Sequence, residues 1–313
     1  MSRFENPAGR LVHPVDFGAF LYTPATHPSL TDVVRGRNMQ GASAICVCLE
    51  DAILDTEVET AWSRLRSVLE GLEDLDPERR PLLFVRPRNL EMAARFAQED
   101  CHIFVDGVVA PKITPTSALR WAQALFGTRL LMMPTLETKE VFDTSWQREM
   151  AHAIISEVAD RTPLVRIGAN DLLSCLGLRR EADETLYEGP LGSVVSNLVT
   201  TFVPMGLRLA APVFEYSDRI DTLAREVSRD LAFGLCGKTA IHPGQVPVIQ
   251  AALRVDPKEL ESARLILAPD APAVFKNNGA MCEPATHRRW AANLIARADR
   301  WGSIDAPSIQ IAI

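Results

Sequence analysis

Charged residues stand directly behind one short apolar run after another along this chain. Glu50 and Asp51 follow Ser43 to Leu49, and Arg86, with Arg88 and Asn89 behind it, closes Pro81 to Arg86. Lys112 follows Gly107 to Ala110, Glu137 follows Arg129 to Met133, and Asn170 and Asp171 follow Leu164 to Ile167. Glu215 follows Arg208 to Phe214, and Lys238 and His242 follow Ala232 to Cys236. Polar loops alone would give part of this pattern. Two carboxylates from different loops, Glu137 and Asp171, suit Mg²⁺, which takes oxygen ligands octahedrally and keeps several waters. Helix N-capping competes for both, because each precedes or opens a helical stretch. Arg86 offers a planar fork that matches a carboxylate. An ion pair with Glu50 or Asp51 is its structural alternative, and the two roles are compatible. Lys112 has the chemistry for a Schiff base, but its place behind Pro111 in a loop better suits a surface or phosphate contact. His242, before Pro243, reads as a turn or core histidine rather than a base.

Other chemistries lack their motifs. There is no GxSxG elbow, no GxGxxG and no HExxH, and Gly237-Lys238-Thr239 lacks the upstream glycine of a phosphate loop because position 232 is Ala232. The six cysteines form no CxxC pair and read as reduced core residues, not as a disulfide framework or zinc site. A net charge of −7 with no basic block argues against nucleic acid or an anionic membrane as partner. No apolar run approaches the roughly 18 residues of a membrane span, and Met1 to Pro14 does not read as a signal peptide. The expectation is a cytoplasmic protein.

The elements that must position these residues alternate between short β-rich runs and longer helical stretches, the pattern of βα units around a parallel sheet. Eight runs are legible: Gly18 to Thr23, then the seven just named, of which Ala232 to Cys236 is the weakest. Helices are predicted near Ser29–Gln40, Thr56–Gly71, Leu90–Gln98, Thr116–Leu125, Lys139–Ala159, Leu191–Val203, Pro243–Leu253, Pro257–Leu267 and Thr286–Trp301. Eight units in 313 residues predict a (β/α)₈ TIM barrel with a C-terminal helical extension, with a doubly wound open sheet as the alternative. In such a barrel the chemistry sits at the C-terminal ends of the strands. The reading divides the chain into a catalytic barrel over 1–269 and an extension over 270–313 that contacts a neighbouring subunit. Ala271 to Ala280 reads as a loop, with Asn277-Asn278-Gly279 as turn chemistry.

The motifs, taken in order, resemble those of the citrate lyase β-subunit-like family. Cys48-Leu49-Glu50-Asp51-Ala52 is similar to its DLEDAV signature, and Val85-Arg86-Pro87-Arg88-Asn89 to VRVN. Ala110-Pro111-Lys112-Ile113 resembles LPKV, and Pro134-Thr135-Leu136-Glu137-Thr138 resembles PLIET. Ile167-Gly168-Ala169-Asn170-Asp171-Leu172 is similar to LGxxDL, and Gly234 to Gln245 to GFxGKxxIHPxQ. Gly279-Ala280-Met281-Cys282-Glu283-Pro284 resembles GxMIDxP. The first Asp of the signature is Cys48 here, and the C-terminal motif carries Glu283 with proline directly behind it. The resemblance implies a barrel that assembles as a homotrimer or higher homo-oligomer. It implies Mg²⁺ on Glu137 and Asp171, Arg86 on the carboxylate of a 2-oxo acid, and Glu50 and Asp51 supporting that arginine. Lys112 is added as a substrate contact, and Glu283 as the acid/base that reaches a neighbouring subunit's site. The reading is a Mg²⁺-dependent carbon–carbon lyase acting on a 2-oxo or 2-hydroxy acid unit, free or as a citryl- or malyl-type acyl thioester. A metal-dependent 2-oxo acid aldolase with an aldehyde partner and a non-catalytic binding barrel are the rivals.

Overall fold

The computed structural model describes residues 3–304, so residues 305–313 of the predicted extension lie outside the described residues. Eight parallel strands form one sheet: β1 (Ala19–Pro24), β2 (Ala44–Cys48), β3 (Leu82–Arg86), β4 (Gly107–Ala110), β5 (Leu131–Leu136), β6 (Val165–Ile167), β7 (Leu209–Ala210) and β8 (Lys238–Ala240). Each pairs with the next in sequence order, and β8 pairs back onto β1, Lys238 opposite Ala19. A bridge from Ala211 to Lys238 joins the last two strands. A doubly wound sheet would break that order at a switch point. The order is sequential, so the barrel stands and the open-sheet alternative falls.

Strand burial explains the barrel. Residues two apart, Ala44 and Cys46, Leu82 and Phe84, Leu131 and Met133, join Phe17 and Phe20 in one buried cluster. The residues between them, Ile45, Leu83 and Met132, are also buried, as strands covered on both faces require. The rings of Phe17, Phe20 and Phe84 meet at 5.5–5.9 Å between centroids.

Between the strands run α1 (Leu30–Val34), α2 (Val58–Glu70), α3 (Leu90–Ala97), α4 (Pro115–Ala124), α5 (Thr144–Glu157), α6 (Ala169–Cys175), α7 (Leu191–Phe202) and α8 (Ile220–Ala232). The first helix is shorter than its predicted Ser29–Gln40 span. Gly36, Asn38, Gln40 and Gly41 all take left-handed φ, which an α-helix cannot contain.

The eighth strand needs correction. The apolar run Ala232 to Cys236 is the end of α8 followed by a turn at Gly234 (φ 79°). The strand is Lys238–Ala240, one turn later. Its first residue is not behind the strand but in it, with the ammonium 2.8 Å from both Glu226 and Asp230 of α8. The sequence reading left α8 unassigned. Ile220, Leu223, Val227 and Leu231 carry its helical period, but Glu226 and Asp230, both buried, interrupt the apolar stripe.

The chain divides into two compact units, residues 2–249 and the segment from Gln250 onward. After β8 comes the short α9 (Val246–Ala252), and the second unit holds α10 (Pro257–Leu267), a hairpin of β9 (Phe275–Asn277) and β10 (Ala280–Cys282), and α11 (Pro284–Trp301). Val255, Ala263, Ile266, Cys282, Ala291 and Leu294 form its own core. The stretch predicted as a loop around Ala271–Ala280 therefore contains a strand, with Asn278 and Gly279 at left-handed φ in the turn, the combination tight hairpins favour. Among the described residues no helix is long and apolar enough to cross a membrane.

Candidate active site

At the C-terminal ends of the strands lies a pocket of about 430 Å³ within the first unit. Five of the predicted site residues, Glu50, Asp51, Arg86, Glu137 and Asp171, line it. Lys112 sits beside them, with its ammonium 2.5 Å from Glu50 and 3.3 Å from Asp51.

Arg86 closes β3, and its Nη2 faces three carboxylates: Glu50 at 2.5 Å, Glu137 at 3.1 Å and Asp51 at 3.6 Å. The arginine is thus ion-paired, the structural alternative, and it also lines the cavity. These charges hold its pKa above the ordinary value despite burial. Burial raises the pKa of Glu50, against the pull of Arg86. Burial acts the same way on Asp51, but bonds and charges from Glu50, Lys112 and Arg86 outweigh it and lower the carboxyl.

Glu137 is buried, and its pKa is pushed up to about 7, chiefly by burial, with Arg86 opposing and the Asp171 charge adding to the rise. Two backbone features seat it. Lys112 takes a left-handed φ of 47°, a strained choice for a side chain with a Cβ, and its amide donates to Glu137 Oε1 at 2.8 Å. Gly168 leaves the space: a Cβ there would fall 2.5 Å from Glu137 Cβ and Oε2.

The capping alternatives give way. Gly168 is the N-cap of α6, so Asp171 is its third residue and does not cap it. Thr138, not Glu137, stands at the N-cap of the short 3₁₀ turn that follows β5. Among the described residues no group of three or more His, Cys, Asp or Glu gathers for a metal. Glu137 and Asp171 supply oxygen only and leave the remaining positions to water and ligand, a set that fits Mg²⁺ better than zinc or copper.

Several residues fall elsewhere. Glu215 pairs with the exposed Arg179, and His242 accepts from the amide of Gly244 in a turn, as the histidine reading expected. Cys48, which replaces the signature aspartate, is buried and its sulfur accepts from the Glu50 amide at 3.4 Å. All six cysteines are free thiols. Glu283 belongs to the second unit, at the N-cap of α11, where its Oε2 accepts from Thr286 at 3.1 Å.

Sequence reasoning missed Tyr22, Arg166, Gly168 and Thr239, which line the same pocket. Arg166 is buried inside β6, stacks 4.6 Å from the Tyr22 ring centroid, and donates to Thr239 Oγ1 at 2.9 Å. The signal was present: a charge in the middle of a run read as a buried strand must face the barrel interior.

Fold and pocket together define a (β/α)₈ barrel with an acid- and arginine-lined cavity at the strand ends, the place where such barrels keep their sites. Over residues 11–303 the chain matches the family model for C-C bond lyases of the TIM-barrel fold, and it belongs to that family. A curated relative, (3S)-malyl-CoA thioesterase of Cereibacter sphaeroides (strain ATCC 17029 / ATH 2.4.9), is 25% identical over 256 residues, 82% of this chain and 83% of the relative. Among solved structures, CitE of Mycobacterium tuberculosis in complex with magnesium, acetoacetate and coenzyme A superimposes with a TM-score of 0.65 at 23% identity, covering 91% of this chain and 99% of that one. The citrate lyase β subunit of the same organism, complexed with oxaloacetate and magnesium, gives 0.57 at 20% identity, covering 76% and 97%. The citrate lyase β-like resemblance read from the motifs agrees with these neighbours, which at such identities speak for the fold.

Proposed function

We propose that this chain is a Mg²⁺-dependent carbon–carbon lyase acting on a 2-oxo or 2-hydroxy acid unit, carried as an acyl thioester of the citryl or malyl type or as a free acid. The observation that supports it is the meeting of Glu50, Arg86, Glu137 and Asp171 in one pocket at the strand ends. The neighbours solved with magnesium and oxo acids are consistent with it.

Glu137 and Asp171 would hold the cation, which when bound supplies charge stabilisation for the oxygen that becomes the ketone as the bond breaks. Arg86 orients the carboxylate of the acid unit through the edge its ion pairs leave open. Glu50, Asp51 and Lys112 fix that guanidinium. Glu283 from a neighbouring copy of the chain, in a trimer or larger assembly, takes the proton of the hydroxyl that becomes the ketone and delivers it to the departing carbon. The barrel over 1–269 is the catalytic part in this reading, and the segment beyond it supplies the acid. The relative described as a malyl-CoA thioesterase favours a second reading, in which the same site hydrolyses the thioester and leaves the carbon–carbon bond intact. Product analysis with a malyl thioester separates the two: glyoxylate marks cleavage, malate marks hydrolysis.

The direct test is calorimetric titration with oxaloacetate, pyruvate and glyoxylate, with and without Mg²⁺. Binding that requires Mg²⁺ is the expected result. Failure of all three acids to bind folded protein overturns the proposal. Glu283→Gln is expected to lower turnover more than binding, and turnover at the parent rate removes Glu283 from the mechanism.

A further inference from the structure

Arg166 is the charge in the pocket that no carboxylate among the described residues answers. It is 4% exposed and lines the cavity, yet among the described residues it makes no ion pair. Its one hydrogen bond runs from Nη2 to Thr239 Oγ1, while Nε and Nη1 are buried without an acceptor. Thr135 stands opposite Arg166 in the β5–β6 register, and its Oγ1 lacks a partner too. So does the hydroxyl of Tyr22, whose ring underlies the guanidinium.

Arg86 is the contrast. Three carboxylates surround its Nη2, and two of them, Glu50 and Glu137, are the buried acids of the pocket. Both turn to Arg86, and neither pairs with Arg166. A guanidinium kept from water without a counter-ion costs several kcal/mol. A strand position tolerates that cost most readily where a ligand supplies the missing charge. The stack on Tyr22 offsets only a part of it, because a cation–π contact is weaker than the lost hydration of the charge.

We infer that Arg166 is a substrate-binding residue that takes a second carboxylate of the substrate, so that the acid unit bound here is a dicarboxylate rather than a monocarboxylate. The inference rests on the function proposed above, in which Arg86 takes the first carboxylate. Both guanidiniums line the same pocket of about 430 Å³, which places them around one small volume. The two anionic groups they answer therefore belong to one short molecule, a few carbons long.

The test uses a matched pair, (S)-malate and (S)-lactate, which differ only by the second carboxylate. Each is titrated calorimetrically into the full chain with saturating Mg²⁺. The parent protein is expected to bind malate about tenfold or more tighter than lactate, the worth of charge-assisted hydrogen bonds to one carboxylate. In Arg166→Met the malate-to-lactate ratio falls toward one. In Arg166→Lys, which keeps the charge without the fork, part of the ratio survives. Equal affinities in the parent overturn the inference, and so does a ratio that Arg166→Met leaves in place. If Arg166→Met does not fold, the parent ratio and Arg166→Lys decide. Mg²⁺-dependent binding of both acids with no preference sinks this inference alone. Binding of neither acid sinks the function reading and this inference with it.

Discussion

Two clusters of buried charge in this molecule serve opposite ends. One ties β8 to α8: Lys238 donates to Glu226 and Asp230 at 2.8 Å each. Arg180 pairs with Glu226, the Leu186 amide donates to the same carboxylate at 2.7 Å, and the Tyr187 hydroxyl donates to Asp230 at 2.6 Å. Every carboxylate oxygen there has a donor and each cation has a carboxylate, with Nε of Arg180 left without an acceptor. The other cluster, around Arg86 and Arg166, leaves Nε of Arg86 and two nitrogens of Arg166 unmatched beside a cavity. The same residue types thus read differently by completeness. A closed network fixes a helix and a loop against the barrel, whereas an open one is a receptor for charge from outside.

The largest stability effect belongs to the closed cluster. Lys238→Ala strands two buried carboxylates and is expected to cost about 3–5 kcal/mol, read as the shift in a urea unfolding midpoint. A loss below about 1 kcal/mol would mean that the network contributes little and that completeness is a poor guide.

The open cluster answers to pH instead. The Glu137 carboxyl titrates near 7 in the folded chain, above its ordinary value. Its contribution to stability is therefore present in full below about pH 4.5 and lost as pH rises through 7, about 3 kcal/mol in metal-free protein. Mg²⁺ favours the ionised carboxyl, so the rise in melting temperature on adding Mg²⁺ should grow between pH 5.5 and 8, and Glu137→Gln should abolish that growth. A Mg²⁺ shift of the same size at both pH values would count against Glu137 as a ligand.

Gly168→Ala comes next. Its Cβ would meet Glu137 at 2.5 Å, an overpacking expected to cost about 1–3 kcal/mol and to weaken Mg²⁺ binding by displacing the carboxylate. Mg²⁺ affinity equal to the parent's, measured by calorimetry, would show that Glu137 moves without consequence.

What was legible in the sequence follows from how local each signal is. Glu50, Asp51, Arg86, Glu137 and Asp171 each end or follow a strand, so a rule about strand ends found them without knowledge of the third dimension. Arg166 lies inside a strand, and a rule that looks only behind strands passes over it. Gly168 matters because of a carboxylate thirty-one residues away, and the Lys112 amide because of a left-handed turn. Neither is visible until the barrel brings β4, β5 and β6 together. The last strand and α8 went astray for one shared reason. Lys238, Glu226 and Asp230 neutralise one another across the fold, and a reading of single segments counts each as a polar residue that belongs outside.

Asp171→Ala should have the smallest effect on stability and the clearest effect on metal. The residue is half-buried in the first turn of α6, where a carboxylate favours the helix N-terminus by about 0.3–1 kcal/mol. Against that, its charge helps to raise the pKa of Glu137, so removing it eases the burial of the Glu137 carboxylate. The two contributions oppose each other, and the net change in metal-free stability is expected within about 0.5 kcal/mol. Mg²⁺ binding, by contrast, loses one of the two proposed protein ligands and should fall below detection by calorimetry. Large destabilisation with unchanged Mg²⁺ affinity would move Asp171 from the open cluster to the closed kind and leave Glu137 without its partner.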